Sequence, residues 1–367
     1  MNMETRWTNK HFLHLDTTLL LGLLVLLTLG LIILYSAGGQ NIDLMFRQLI
    51  RIVAGLGVML LIAQIPIQKV FRWVPWIYLI GVLLLVLVLL IGTTSKGSQR
   101  WINLGFFAFQ PSEIMKLIMP MMVTWYLADR PLPPSYGRIV VALILIVFPV
   151  LLVAKQPDLG TSLLIASSGI FVLLFAGIAW KLIFGFLSLV GAFIPILWFY
   201  IMHPYQQQRV KTLFNPEADP LGTGYHIIQS KIAIGSGGIE GKGWLNGTQS
   251  QLHFLPERTT DFIYAVYNEE FGLVGAGILL LIYLFILSRG MYIAAQAQDT
   301  YGRLLAASLV STFFVYIFVN MGMVTGLLPV VGVPLPLISY GGTSLVTLMA
   351  GFGFIMAIHT HKRFLSQ

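Results

Sequence analysis

Long apolar runs alternate with short polar joints along the chain. Ten runs are long enough to cross roughly 30 Å of hydrocarbon as helices. They cover residues 17–36, 47–65, 74–92, 112–128, 139–155, 159–178, 182–201, 271–288, 303–325 and 343–359. No period of 20–50 residues repeats, and no inverted repeat is visible, so the pattern is not that of a solenoid. The prediction is an all-α polytopic membrane protein: one domain over 1–367 with about ten transmembrane helices, a tail over 1–16, and one large loop, 202–270, between the seventh and eighth helices. An even number of spans puts both termini on one side.

Composition agrees. The chain is 57% hydrophobic and 10% charged, whereas a soluble domain averages about 25% charged residues. A soluble chain of this size would need a polar surface that this composition does not supply. No cleavable signal pattern is present, because the run after the first sixteen residues is too long for one. With no cysteine, disulfides and thiolate catalysis are excluded.

The net charge of +8 points first to positive-inside loops rather than to nucleic acid. Eleven Lys and Arg fall on the side of the termini and six in the short segments opposite; the long loop holds the other five, and loops of that length are exempt from the rule. This bias puts both termini in the cytoplasm. Ten of the fourteen acids then lie on the outer side, so any chemistry is expected to be extracytoplasmic.

The loop 202–270 is too long to be a plain connection. Within it, "GYHIIQSKIAI" (224–234) suits a short amphipathic helix at the membrane interface. Such a helix either covers the bundle or gates a lipid-substrate entrance. "GSGGIEGKGW" (235–244) fails as a nucleotide loop, since position 236 is Ser and position 243 is Gly; it reads as a flexible turn. The last loop, 326–342, combines prolines and glycines with no charge. Irregular backbone of that kind has to be buried or line a cavity, so a re-entrant-like loop is expected.

Ionisable residues converge on the predicted outer mouth. Ser112 is placed to cap a helix, Glu113 sits in its first turn, and Lys116 lies one turn on and within pairing distance. Asp158 can cap the sixth helix, with Lys155 beside it. Arg47 and Arg51 lie one turn apart, and Arg209 and Lys211 open the long loop. Cations among isolated carboxylates suit an anionic headgroup, with Arg as a fork and Lys as a point charge; snorkelling is the alternative. The paired histidines of the two tails read as solvated residues rather than metal ligands.

"NMGMVTGLLPVVGVPLPLISYGGTS" (320–344) resembles the signature of the SEDS family (shape, elongation, division and sporulation proteins). "QRWI", "QPSE", "QPDLGTS" and "ERTTDFIYAVYNEEFG" match it in order, over essentially the whole chain. The short tails are similar to the rod-elongation branch rather than the division branch. The resemblance implies a peptidoglycan glycosyltransferase of the bacterial cytoplasmic (inner) membrane. It implies lipid II as substrate, and as partners a class B penicillin-binding transpeptidase and other elongation-complex membrane proteins. It also makes the Asp of "ERTTDF", here Asp261, the residue essential for polymerisation.

On that reading Asp261 is the general base on an acceptor hydroxyl. Arg100, Lys116, Lys155, Arg209 and Arg258 are candidate pyrophosphate and headgroup cations. Glu113, Asp158, Ser339 and Thr343 orient them or shape the cavity. The sequence shows no metal cage; a divalent cation, Mg or Mn, bridging the phosphates is compatible with it. Glu269 and Glu270 are expected to mark the entry to the eighth span, where a helix dipole favours acids. A lipid II flippase is the competing reading, though its ionisable groups should sit near the bilayer midplane. The division-specific polymerase is the competitor within the family.

Overall fold

A computed structural model describes residues 14–95, 98–103, 108–202, 204–218, 223–252, 254–255 and 257–361. Residues 1–13, most of the expected tail, lie outside the described residues. The helices are α1 Thr17–Ala37, α2 Ile42–Ala63, α3 Ile67–Ile91, α4 Pro111–Ala128, α5 Tyr136–Ala154, α6 Leu159–Phe175, α7 Trp180–Ile196, α8 Pro204–Phe214, α9 Thr223–Gly237, α10 Thr248–Gln251, α11 Ile263–Ala295, α12 Thr300–Thr325 and α13 Thr343–Thr360. A π-helical turn, Leu197–Ile201, continues α7.

Seven of these are long and apolar enough to cross a membrane: α1, α2, α3, α5, α11, α12 and α13. α6 is apolar but has 17 residues. The chain is therefore multi-pass. α12 buries 72% and α13 61% of their apolar windows inside the protein, against 22% for α2, so α12 and α13 form the centre and α2 keeps most of its surface for lipid. One core joins α1, α11, α12 and α13 through residues such as Leu23, Tyr283, Phe313 and Phe352. A second joins α3 to α6 through Leu85, Met119, Ile146 and Val172. His14 stacks on His361 at 3.9 Å, so the two ends of the described chain meet.

Three local expectations need correcting. The chain is mostly helical, as expected, but between α3 and α4 strands β1 (Thr93–Ser95), β2 (Ser98–Asn103) and β3 (Ala108–Phe109) pair antiparallel in that order. Thr93 faces Trp101 and Ile102 faces Phe109. β-Branched and aromatic residues suit such a ribbon, but the stretch is too short for its period to be read.

Ser112 does not cap α4. Gln110 is the N-cap and Pro111 takes the first turn, where a missing N–H costs nothing. The Ser112 hydroxyl instead accepts from Gln110 Nε2 at 3.1 Å.

The third correction concerns Glu269, Glu270 and the supposedly flexible turn. α11 begins at Ile263, so the two acids lie about two turns inside it rather than at its entry. Gly272 (φ 62, ψ −160) breaks the helix just after them. A break leaves carbonyls before it and N–H groups after it without helical partners, and buried groups of that kind must be bonded. The glycine-rich segment supplies the partners. Lys242 and Gly243 N–H donate to the carbonyls of Glu269 and Glu270 at 3.0 and 2.9 Å. Leu273 and Val274 N–H donate to the carbonyls of Gly238 and Ile239 at 3.0 and 3.1 Å. A Cβ on Gly241 would come 2.1 Å from the Glu270 carbonyl oxygen, so only glycine permits this approach. The turn is clamped to the helix break.

Candidate active site

Three connections meet at the end of the bundle opposite the described termini: the β ribbon, the segment 257–262 before α11, and the irregular loop 326–342 between α12 and α13. They surround a solvent-open cleft of about 1010 Å³. Its polar lining includes Arg100, Glu113, Lys116, Glu257, Asp261 and Thr343. Trp101, Tyr316, Val333 and Tyr340 supply apolar wall.

α4 delivers two of the charges. Lys116 Nζ meets Glu113 Oε1 at 2.6 Å, one turn apart as the spacing requires. Both are buried, Lys116 to 5% exposure. Lys116 also lies over the ring of Tyr316 on α12, 4.8 Å from its centroid. The ammonium is thus held at the floor of the cleft by a carboxylate and an aromatic face. α6 and the β ribbon deliver the next pair. Asp158 caps α6, accepting from Thr161 N–H at 3.2 Å, and its other oxygen takes Arg100 Nη1 and Gln110 Nε2, both at 3.3 Å. Arg100 is thereby fixed at the rim.

Asp261 lies in the segment 257–262, one residue before the N-cap of α11. Its Oδ2 borders Gly332, where a Cβ would stand 3.4 Å away. Its segment is gripped by the last loop and by the end of α12. Tyr340 N–H donates to the Thr259 carbonyl at 2.8 Å, Ser339 Oγ to the Thr260 carbonyl at 2.6 Å, and Asn320 Nδ2 to the Asp261 carbonyl at 2.9 Å. Chemically, a carboxylate and two fixed cations line one solvent-open cleft. Such an arrangement can take a proton from a hydroxyl while stabilising an anionic leaving group.

Asp261, Arg100, Lys116, Glu113 and Thr343 therefore share one cleft. Asp158 and Ser339 stand behind its wall, as supports. Three expected cations do not line it. Lys155 closes α5 and is exposed. Arg209, on α8, donates to the Val330 carbonyl of the last loop at 3.0 Å. Arg258 turns away from Asp261 and donates to the Ser250 carbonyl, and burial lowers its pKa. Arg51 crosses instead from α2 to lie over the Tyr340 ring, 4.2 Å from its centroid. It lines an apolar groove of about 1370 Å³ that shares Trp101, Glu113, Gly342 and Thr343 with the cleft.

Residue-by-residue reasoning did not single out Asn320, Gln110, Trp101 or Tyr316. Asn320 had a usable signal: an amide near the end of an apolar helix, where every polar side chain needs a partner. Tyr316 and Trp101 had none, since aromatics are common in such a chain.

The FtsW/RodA/SpoVE cell cycle protein family matches residues 9–364. The peptidoglycan glycosyltransferase MrdB of Escherichia coli strain K12 is 56% identical over 366 residues, covering 100% of this chain and 98% of that protein. A chain from a peptidoglycan synthase complex that coordinates polymerisation and crosslinking superposes with a TM-score of 0.82 at 28% identity, over 94% of this chain and 97% of that one. The rod shape determining protein RodA of Thermus thermophilus superposes with a TM-score of 0.72 at 26% identity, over 96% and 99%. Matched along nearly its whole length in both sequence and fold, this chain belongs to the FtsW/RodA/SpoVE cell cycle protein family.

Proposed function

We propose that the protein is a peptidoglycan glycosyltransferase that polymerises lipid II at the outer face of the bacterial cytoplasmic membrane during cell elongation. The observation that carries this reading is the meeting of Asp261 with Lys116 and Arg100 around one open cleft. The 56% identity to MrdB over the whole chain supports the reaction class.

In this reading ten helices cross the membrane, the seven above together with α4, α6 and α7. Both termini are cytoplasmic, 202–270 is the large outer loop, and 326–342 dips back into the bundle. The likeness to a synthase-complex chain supports a class B penicillin-binding transpeptidase as partner, alongside other elongation-complex membrane proteins.

The reaction follows from the donor's chemistry. A sugar pyrophosphate already carries a good leaving group, so no acid is needed to protonate it, unlike the two-carboxylate cleavage of an ordinary glycoside. Asp261 takes the proton of the acceptor hydroxyl as that oxygen attacks the anomeric carbon. The bond to the pyrophosphate breaks, and Lys116 and Arg100 receive the charge that develops on it. Glu113 and Asp158 hold those cations in place. A divalent cation would be held by Asp261 and Glu257, since such ions take one or two carboxylates plus substrate oxygens, and would supply further stabilisation of the negative charge on the leaving group.

The test is glycan polymerisation by the purified protein with its transpeptidase partner on lipid II, comparing wild type with Asp261→Asn. Loss of a general base costs about 10²–10⁴-fold, and a loss of that order is expected. An Asp261→Asn variant that polymerises at the wild-type rate overturns the assignment. Translocation of lipid II across vesicles by the same variant would point to the transporter instead.

A further inference from the structure

Three successive carbonyls, those of Thr259, Thr260 and Asp261, are each bonded to the stretch 320–340. Asn320 stands out among the donors. It is fully buried near the end of α12, and its single amide nitrogen donates to two carbonyls, Asp261 at 2.9 Å and Val333 at 2.7 Å. Because both partners are carbonyls, the nitrogen and not the oxygen must face them. Its Oδ1 is buried without a partner, a desolvation cost that the two donated bonds must outweigh. Ser339 does the equivalent one residue back: its hydroxyl donates to the Thr260 carbonyl and accepts from Leu335 N–H at 2.8 Å. Two non-glycine residues, Glu257 (φ 51) and Leu337 (φ 64), adopt the left-handed region in the segments so joined, a conformation that persists only where the surroundings enforce it.

We propose that Asn320 and Ser339 are positioning residues for the reaction: they set the height and direction of the Asp261 carboxylate by fixing the backbone that carries it. This rests on Asp261 acting as the base. Val333 and Gly332 line the cleft beside Asp261, so the Asn320 amide fixes both sides of the carboxylate's place with one group. Displacements of about 1 Å at a reacting group can cost about 10²-fold in rate, while substrate binding, made largely by Lys116 and Arg100, is left alone. The signature of such residues is a fall in kcat at nearly constant KM, in a protein that stays folded.

The experiment compares Asn320→Ala, Asn320→Asp, Ser339→Ala and Asp261→Asn as full-length protein with its partner. It records kcat, KM for lipid II and the thermal midpoint in detergent. Asn320→Asp keeps the shape but turns an acceptor toward two carbonyls. Expected are kcat losses of about 10²-fold for both Asn320 variants and about 10-fold for Ser339→Ala, with KM within about threefold. The proposal falls if any variant that retains the wild-type midpoint keeps kcat within twofold. It also falls if lost activity simply tracks the folded fraction. Should neither Asn320 variant fold, Ser339→Ala decides by the same criterion. Full activity in Asp261→Asn refutes the base itself. An inactive Asp261→Asn beside fully active Asn320 and Ser339 variants refutes only the positioning role.

Discussion

Asp261 and Glu269 are both acids of one charged segment, eight positions apart, and they are held in opposite ways. Glu269 is fully buried, and both of its oxygens are consumed. Oε1 takes Lys242 Nζ at 2.8 Å, Thr248 Oγ1 at 3.2 Å and Gln249 N–H at 2.8 Å; Oε2 takes Ser250 N–H at 3.2 Å. Its side chain is the peg around which residues 242–250 fold. Asp261 has its main-chain carbonyl bonded by Asn320, and its side chain borders the open cleft. A charge in an apolar chain is thus not by itself a sign of chemistry. What separates the two is whether the carboxylate is fully buried among donors from its own chain, as Glu269 is, or borders a solvent-open cleft, as Asp261 does.

The sharpest way to break this comparison is to neutralise each acid in turn. Asp261→Asn should remove about 10²–10⁴-fold of polymerisation and leave the thermal midpoint in place. The Glu113–Lys116 pair mixes both roles and should give the next largest effect. Removing one partner of a buried pair costs about 3–5 kcal/mol because it strands the other charge. Lys116→Met should therefore lose both stability and activity, whereas the double variant Glu113→Gln/Lys116→Met should regain stability and stay inactive. A double variant that polymerises lipid II would remove Lys116 from the leaving-group site. Glu269→Gln comes next. Hydrogen bonds to a charged group contribute about 1.5–3 kcal/mol, and an amide cannot satisfy four donors. Faster proteolytic cleavage within 242–250 is the expected readout, with activity falling only as far as the loop loosens.

The sequence carried the helices well, for a physical reason. A span must be long and apolar wherever it lies, so its signal is local. The apolar run at 271–288 marks the part of α11 beyond the Gly272 break. The helical turns before the break were missed because 263–270 looks polar by its acids, whose partners are distant in the chain. Site residues divide along the same line. Glu113 with Lys116, and Asp158 as a cap, were legible because both contacts lie within one turn. Where Arg258 and Arg209 point was not, since each ends on a carbonyl, of Ser250 and Val330, that no spacing rule foresees. The β ribbon stayed hidden because its strands are only two to six residues long.

The smallest effect is expected at the opposite end of the bundle, where Asp16 is another acid spent on structure. Its carboxylate caps α1 through Leu19 N–H at 2.7 Å and takes Arg289 in a fork, Nε at 3.1 Å and Nη2 at 2.6 Å, with His359 Nε2 at 3.3 Å. Burial raises its pKa, but Arg289, the Leu19 N–H and His359 together outweigh that and hold it below the ordinary 3.8. A carboxyl with a lowered folded pKa contributes stability at pH above its unfolded value, and that contribution is lost as the pH falls through the folded one. Asn caps helices about as well as Asp, so Asp16→Asn removes the charge and leaves the cap. The variant should melt a few degrees below wild type at pH 5 and above, and the gap should close as the pH is lowered below about 3.8. A gap that persists unchanged into that acid range would show that Asp16 acts through its shape and its cap alone, and that the ion pair with Arg289 contributes nothing to holding α1 against α11.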